Sequence, residues 1–431
     1  MHRTTSVTRT ALLLVATAAV LLTGACSSEE STATTAPSSA EPLQPVTIGA
    51  LLDLTGPGST LGTQSRSALE AALIEASAQG FAVTLDVRDT GSDPETALKE
   101  LQSLHELGVT AVIGPQTSSE AAAVIDFADA NGMLLVSQGS TASTLAIPGD
   151  ALYRMVPTDQ VEGVAAGDLI TVNPGPRRVV VSHRDDAGNA GLASAVTATV
   201  QARGATVVEG PVYPAEGADA AQVAQQIAEA VSGGGEEESV VYLAGFEEVA
   251  DILAAASTIQ ALENVPFYGG DGSARSDALI ENATAAQFAA GPALGYPSPL
   301  PTVGDDAVAP PEPLQRAVPD GDPLAYGAYD ALVIVLAALQ QAGVTASGTP
   351  LREAFATAAS GHQGVSGTVE LDAAGDRATM PFAFWGVCEA DGVFAWVEVG
   401  DWVPPETAGQ PGVVAYLGCR TGGVGSTAPA P

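Results

Sequence analysis

The sequence predicts an α/β protein made of two doubly wound parallel-sheet lobes. Short apolar runs alternate with helical patterns across most of the 431 residues. Several runs, such as 110–114 and 133–137, are apolar on both faces. Strands read this way when helices cover both sides of a parallel sheet. The repeating units are also too many for one small sheet, so the chain divides into two.

The elements follow in order. A strand at 46–53 precedes a helix at 67–78, where Leu69, Ala72, Leu73 and Ala76 fall at helical spacing. Strand 82–89 leads to helix 94–107, with Ala97, Leu101 and Leu104 on one face. Strand 110–114, a helix opened by Ser and Thr, and strand 133–137 come next. The alternation resumes with helix 160–171, strand 178–183, helix 190–203, strand 205–212, helix 218–231, strand 239–243, helix 247–259 and strand 266–268. The stretch 298–323 is rich in Pro and Asp and reads as a surface connection. Helices 325–342 and 350–358 follow it. From 364 onward the rhythm is antiparallel, with strands 367–371, 381–388 and 393–399 and an Ala390-Asp391-Gly392 turn. Residues 418–431 read as a disordered tail.

The N-terminus sets the compartment. Arg3 and Arg9 precede an apolar run, 11–22, that ends in Leu22-Thr23-Gly24-Ala25-Cys26. It is too short to span a bilayer and suits an export signal over 1–25. Its ending looks like that of a bacterial lipoprotein, with lipid carried on Cys26. Residues 26–45 lack the apolar content for a core and read as a flexible tether. The expected location is therefore the outer face of the cytoplasmic membrane. Removing 1–25 takes away two of the 15 Lys+Arg and none of the 50 Asp+Glu, leaving a net charge of −37. Such a surface repels nucleic acid and anionic headgroups. In an oxidising compartment Cys388 and Cys419 read as a disulfide, and no metal site is expected from two Cys and scattered His. Nor is a cofactor expected: Gly56, Gly58 and Gly62 are spaced one residue too long for the dinucleotide fingerprint.

A candidate ligand crevice lies in 110–145. Loops leaving the carboxyl ends of neighbouring parallel strands sit side by side. Two such loops carry Thr117, Ser118 and Ser119, then Ser140, Thr141, Ser143 and Thr144. Hydroxyls at a helix N-terminus, with its free N–H groups and partial positive charge, suit a small carboxylate or phosphate. Plain helix capping is the better account of a lone hydroxyl, and two hydroxyl loops on neighbouring strand ends bring the two readings nearer to balance.

Seven segments carry a family resemblance: IGALLDLTGPGSTLG (48–62), DTGSDPETALKELQSL (89–104), AVIGPQTSS (111–119), YRMVPTDQVEG (153–163), YGGDG (268–272), AYGAYDAL (325–332) and GVSGTVELDAAGD (364–376). In this order they make the chain resemble type 1 periplasmic binding proteins, specifically the substrate-binding lipoproteins of branched-chain amino acid ABC transporters, over about 46–399. The resemblance implies two lobes joined by three crossovers, near 157–160, 291–297 and 372–378, that close on a ligand like a flytrap. One lobe would hold 46–158 and 296–372, the other 159–295 and 378–417. It implies a non-enzymatic protein with a small-molecule ligand and ABC permease subunits as partners.

The resemblance also implies roles for individual residues. Ser118 would bind a ligand carboxylate. Thr141 would contact carboxylate and ammonium, with Gly139 offering backbone. Asp271 would meet the α-ammonium. A zwitterion needs donors at one end and an anion at the other. The side-chain pocket departs from the family pattern: Gly188 and Asn189 stand where Tyr-Gly is usual, and Leu61 stands where an aromatic often lies. Phe246 keeps the aromatic of a third wall. The extra room suits a ligand bulkier than leucine or different in kind.

Two other classes of function are open to such a chain. A secreted hydrolase would need a nucleophile and base, but there is no Gly-x-Ser-x-Gly elbow. His2, His105, His183 and His362 show no metal-ligand spacing, and His183 with Asp185 and Asp186 reads as a solvated loop. A ligand sensor presenting to a membrane receptor would use the same fold, and a permease and ATPase encoded beside the gene would separate it from transport.

Overall fold

The structure is a computed structural model that describes residues 45–172, 178–233, 238–291, 295–304, 306–319, 321–405 and 409–419. The expected signal, Cys26, nearly all of the tether and most of the expected tail lie outside these residues.

Five strands form the first sheet: β1 (Val46–Leu52), β2 (Val83–Asp89), β3 (Ala111–Ile113), β4 (Leu134–Ser137) and β5 (Leu152–Arg154). They pair in the order β2-β1-β3-β4-β5, all parallel. The second sheet holds β6 (Arg178–Asp185), β7 (Thr206–Pro214), β8 (Ser239–Ala244) and β9 (Phe267–Gly269) in the order β7-β6-β8-β9, again parallel. Each chain path runs outward to its second strand and returns past the first. This reversal opens a crevice at the carboxyl ends of β1 and β3, and another at those of β6 and β8.

Helices cover both faces, as the apolar strands require. On one face of the first sheet, Ile48, Ala50 and Leu52 pack with Leu69, Leu332, Leu339 and Phe355, which come from helices Ser59–Ala78, Pro323–Ala342 and Gly348–Ala359. On the other, Leu51 and Val112 meet Ala97, Leu101 and Leu104 of helix Pro94–Glu106. That helix starts where the sequence expects, because Asp93 caps Thr96 N–H at 2.7 Å and proline takes the first turn.

The C-terminal strands are β10 (Ser298–Pro301), β11 (His362–Gly364), β12 (Gly367–Val369), β13 (Phe382–Ala390), β14 (Val393–Val403) and β15 (Val413–Tyr416). β10-β13-β14-β15 make an antiparallel sheet, whose Phe382, Phe384, Val399 and Trp402 pack with Leu192, Val196 and Val240 of the second parallel sheet and its helices. Cys388 and Cys419 are joined by a disulfide.

Three expectations need correction. Residues 298–301 are not surface connection but the fully buried strand β10, with Leu300 packed among Leu61, Val156, Ala274 and Leu324. Pro299 and Pro301 disguised it, yet an edge strand tolerates proline. The first helix begins at Ser59, eight residues before the apolar periodicity starts. Its opening turns hug the preceding strand, and a Cβ on Gly62 would meet the carbonyl oxygen of Asp53 at 2.0 Å. Finally, Asp277–Glu281 and Ala283–Ala290 are short helices the sequence reading left unassigned.

At the end of β5 a buried ion pair ties two distant segments. Arg154 Nε and Nη2 grip Asp376 Oδ1 and Oδ2 at 2.5 and 2.6 Å. The Arg154 N–H also donates to Gly375 O, and the Arg377 N–H to Arg154 O.

Candidate functional site

The loops after β3 and β4 form one wall. Ser118 opens helix Ser118–Ala130 and is buried. Its Oγ accepts hydrogen bonds from the N–H of Thr141 at 3.1 Å and Ala142 at 3.0 Å, and from the Ser140 hydroxyl at 3.2 Å. One side chain thus organises the neighbouring loop. Thr117 serves as a cap, since its N–H and hydroxyl both donate to Glu120 Oε2, at 3.0 and 2.6 Å. Ser143 and Thr144 sit in a short 3₁₀ turn and do not line the cleft.

Behind this wall lies a buried acid pair. Asp53 accepts from Thr90 and Ser92 hydroxyls, both at 2.7 Å. Burial first, and then the charge of Asp53, push the Glu120 carboxyl up to about 8. Asp53 is also raised by its burial. At neutral pH the pair therefore holds a proton.

The opposite wall is acidic. Asp271 follows β9, where its Oδ1 accepts the Gly272 N–H at 2.7 Å and its own N–H donates to Glu162 Oε1 at 3.0 Å. Glu162 and Asp159 lie in the first turn of helix Asp159–Thr171. Burial pushes Asp271 up to about 6. Burial and then repulsion from Asp271 hold Glu162 well above the carboxylate range. Asp159 is pushed up to about 7, mainly by burial, against a smaller opposing pull from Thr141. Among the described residues neither Asp159 oxygen, nor Glu162 Oε2, nor the Tyr242 hydroxyl finds a partner in good hydrogen-bond geometry. Such orphaned acceptors are costly until something donates to them.

The cation nearby is already engaged. Arg184 pairs with Asp186 at 2.9 Å and Glu248 at 3.3 Å, and lies 5.2 Å from the centre of the Phe246 ring. His183 turns its ring nitrogen to the Arg184 carbonyl at 2.8 Å, while Asp186 caps Asn189 N–H at 2.9 Å. The imidazole and Asp186 are thus committed to different partners.

Between the walls is a narrow cleft. Leu61, Ser118, Gly139 and Thr141 line it from the first sheet's side, and Gly188, Phe246 and Asp271 from the second's. All seven residues singled out from the sequence therefore share one cavity. A Cβ on Gly188 would stand 3.5 Å from Ser118 Oγ, so a large side chain there would cross the cleft. The sequence reading did not give a pocket role to Gln116, Asp186, Gly272 or Leu324, which also line it. Asp186 had a legible signal as a helix cap before Asn189. Leu324 had none, since it arrives from far along the chain.

Contacts across the cleft hold it closed. Ala187 N–H donates to Ser119 Oγ at 3.2 Å, and Asp159 N–H to Thr141 O at 2.8 Å. Glu247 Oε1 accepts from Thr60 N–H at 3.2 Å and Thr60 Oγ1 at 2.7 Å. Arg275 reaches Asp322 at 3.3 Å and stacks 4.7 Å from the centre of the Trp385 ring.

A family model described as periplasmic binding protein matches residues 45–391. An uncharacterised protein of Methanocaldococcus jannaschii, MJ1266, is 30% identical over 61% of this chain, a match spanning 65% of that relative's length. The Leu/Ile/Val-binding protein BraC3 of Rhizobium johnstonii is 26% identical over 69% of this chain and 80% of its own. Among solved structures, the branched-chain amino acid transporter substrate-binding protein LivJ of Streptococcus pneumoniae, in complex with isoleucine, superposes with a TM-score of 0.67 at 18% identity, covering 83% of this chain and 99% of that one. A solute-binding protein of an ABC transporter from R. palustris, in complex with 4-hydroxybenzoate, also gives 0.67, at 17% identity, over 83% of this chain and 97% of that one. These structures share the fold. With two parallel sheets facing one cleft and a family match over most of its length, the chain belongs to the periplasmic binding protein family, with the type 1 fold of branched-chain amino acid transporter substrate-binding proteins.

Proposed function

We propose that the protein is the extracytoplasmic, lipid-anchored substrate-binding component of an ABC importer, taking an amino acid or similar small zwitterion into the cleft. Lipid on Cys26 would hold it at the membrane, and permease subunits would receive the ligand. The lobes would be 46–158 with 296–372 and 159–295 with 378–417, except that β10 pairs with β13 of the second, and they would move about crossovers near 157–160, 291–297 and 372–378. In this reading Ser118, Thr141 and Gly139 take the carboxylate, and Asp271 takes the ammonium. Leu61, Phe246 and Gly188 shape the space for the side chain.

The observation that carries the reading is the opposition of the two walls, hydroxyls and N–H groups on one and buried carboxyls on the other. An ammonium would supply the donors that the Asp159 and Glu162 oxygens lack. A benzoate-like anion would leave that wall uncompensated, because Arg184 already has two carboxylate partners.

The test is thermal unfolding of the purified protein against amino acids, amides, polyamines, aromatic acids and short peptides. A ligand at about a hundred times its dissociation constant adds nearly 3 kcal/mol of stability. A shift with one amino acid class supports the reading. A shift with aromatic acids alone overturns the zwitterion assignment while leaving a binding protein.

A further inference from the structure

The helix Ser59–Ala78 lacks the usual devices at its N-terminus. Gly58 stands at the cap with no side chain to offer, and no acidic residue lies in the first turn. Its free N–H groups and partial positive charge would ordinarily be met locally. Ser59 N–H finds Gly56 O nearby at 3.2 Å, but Thr60 N–H is met from the other side of the cleft. Glu247, which follows β8, sends Oε1 to the Thr60 N–H at 3.2 Å, the Thr60 hydroxyl at 2.7 Å and the Ser59 hydroxyl at 3.4 Å. These groups are 187 and 188 residues apart in sequence. Glu247 does not line the cavity, but its neighbour Phe246 does, as does Leu61, next to Thr60. The contact therefore draws the two apolar walls together without touching the space a ligand would fill.

We propose that Glu247 is a closure clasp: a carboxylate of the second lobe that caps a helix of the first only when the cleft is shut, and so sets how long any ligand stays. The inference rests on the cleft being a ligand site, as proposed above. A clasp of this kind acts on the open–closed equilibrium alone. It changes the escape of every ligand by one common factor and leaves their ranking untouched. It leaves entry unchanged, because entry occurs while the cleft is open.

The experiment compares the unmodified protein with Glu247→Ala and Glu247→Gln. Stopped-flow Trp fluorescence reads closure, since Trp385 packs against a cluster that includes Leu61, Val156 and Leu324 of the first lobe. L-isoleucine and L-leucine are the probes. Glu247→Ala should speed dissociation about tenfold for both, the loss expected for a charge-assisted bond, while association stays within about twofold. Glu247→Gln keeps an acceptor oxygen and should lose less. Unchanged dissociation, or a change in the order of the two probes, overturns the clasp. A second readout is hydrogen exchange of the protein saturated with L-isoleucine or, if neither amino acid binds, with 4-hydroxybenzoate. Glu247→Ala should speed exchange in the peptide containing Thr60 and leave the β1 amides unchanged, and equal exchange at Thr60 overturns the proposal. If neither L-isoleucine nor L-leucine binds the unmodified protein, the amino-acid reading fails while exchange with 4-hydroxybenzoate still decides the clasp.

Discussion

The two walls of the cleft solve the same problem with opposite chemistry. On the first, Ser118 Oγ gathers two N–H groups and a hydroxyl, so the polar groups satisfy one another before any ligand arrives. On the second, Asp159, Glu162 and Asp271 crowd together with acceptor oxygens unmet. The first wall faces the cleft with pre-organised groups that do not titrate, and its acid pair lies behind them. The second crowds carboxyls together and relieves their repulsion by holding protons, so under the proposed reading a ligand's cation and the solvent's protons compete for it.

The strongest way to break this contrast is Asp271→Ala. It should weaken an amine-bearing ligand by about 3 kcal/mol, the upper range for a hydrogen bond to a charged group, as read by calorimetric titration. Equal affinity would mean the second wall is not the ammonium site.

The next test probes what lies behind the first wall. Glu120 titrates in the fold at about 8, far above its ordinary 4.5. The folded protein thus binds a proton that the unfolded chain releases between those values, and stability falls as pH rises through this window. Glu120→Gln mimics the protonated form and should hold on the order of 2 kcal/mol more of its stability between pH 6 and 9. Parallel urea-midpoint profiles for the two proteins would show that the pair does not share a proton.

Ser118→Ala sharpens the first half of the contrast. Removing the common acceptor should cost about 1.5 kcal/mol of affinity for a carboxylate-bearing ligand and lower the melting temperature. An unchanged protein on both measures would reduce Ser118 to a bystander.

The smallest effect is a pH profile of binding. With Asp271 at about 6 and Asp159 at about 7 in the empty cleft, protons compete with an ammonium as pH falls through these values. Affinity at pH 5 should be about tenfold below that at pH 8, and Asp271→Asn should flatten the curve. A flat profile in the unmodified protein would contradict an acidic wall that meets the ligand.

Much of this was legible in advance because the local rules agreed. Continuous apolar runs marked β3 and β4, Asp93-Pro94 marked a helix start, and residues such as Ser118 and Asp271 follow strand ends, where an α/β crevice forms. What escaped depended on long-range partners. β10 looked like a loop until its pairing with β13 gave its prolines an edge. Asp159 and Glu162 carry no sequence signal of a site, since the loop after β9 covers Glu162, and the Thr141 loop and Gly191 cover Asp159. The Glu247 contact joins segments with no shared sequence signal.

The Arg154–Asp376 tie bears on how the molecule can move. Both ends are buried, and two backbone bonds through Arg154 join the segments in one parallel bridge, a minimal two-stranded ribbon. If they carry two of the three crossovers, as proposed, the lobes cannot slide or swivel independently, because shear would break a dry bidentate pair at a cost of several kcal/mol. What remains is one soft coordinate, bending across the ribbon. A ligand then need bias only that coordinate, and a small contact at the rim such as Glu247 gains leverage from its distance to the axle.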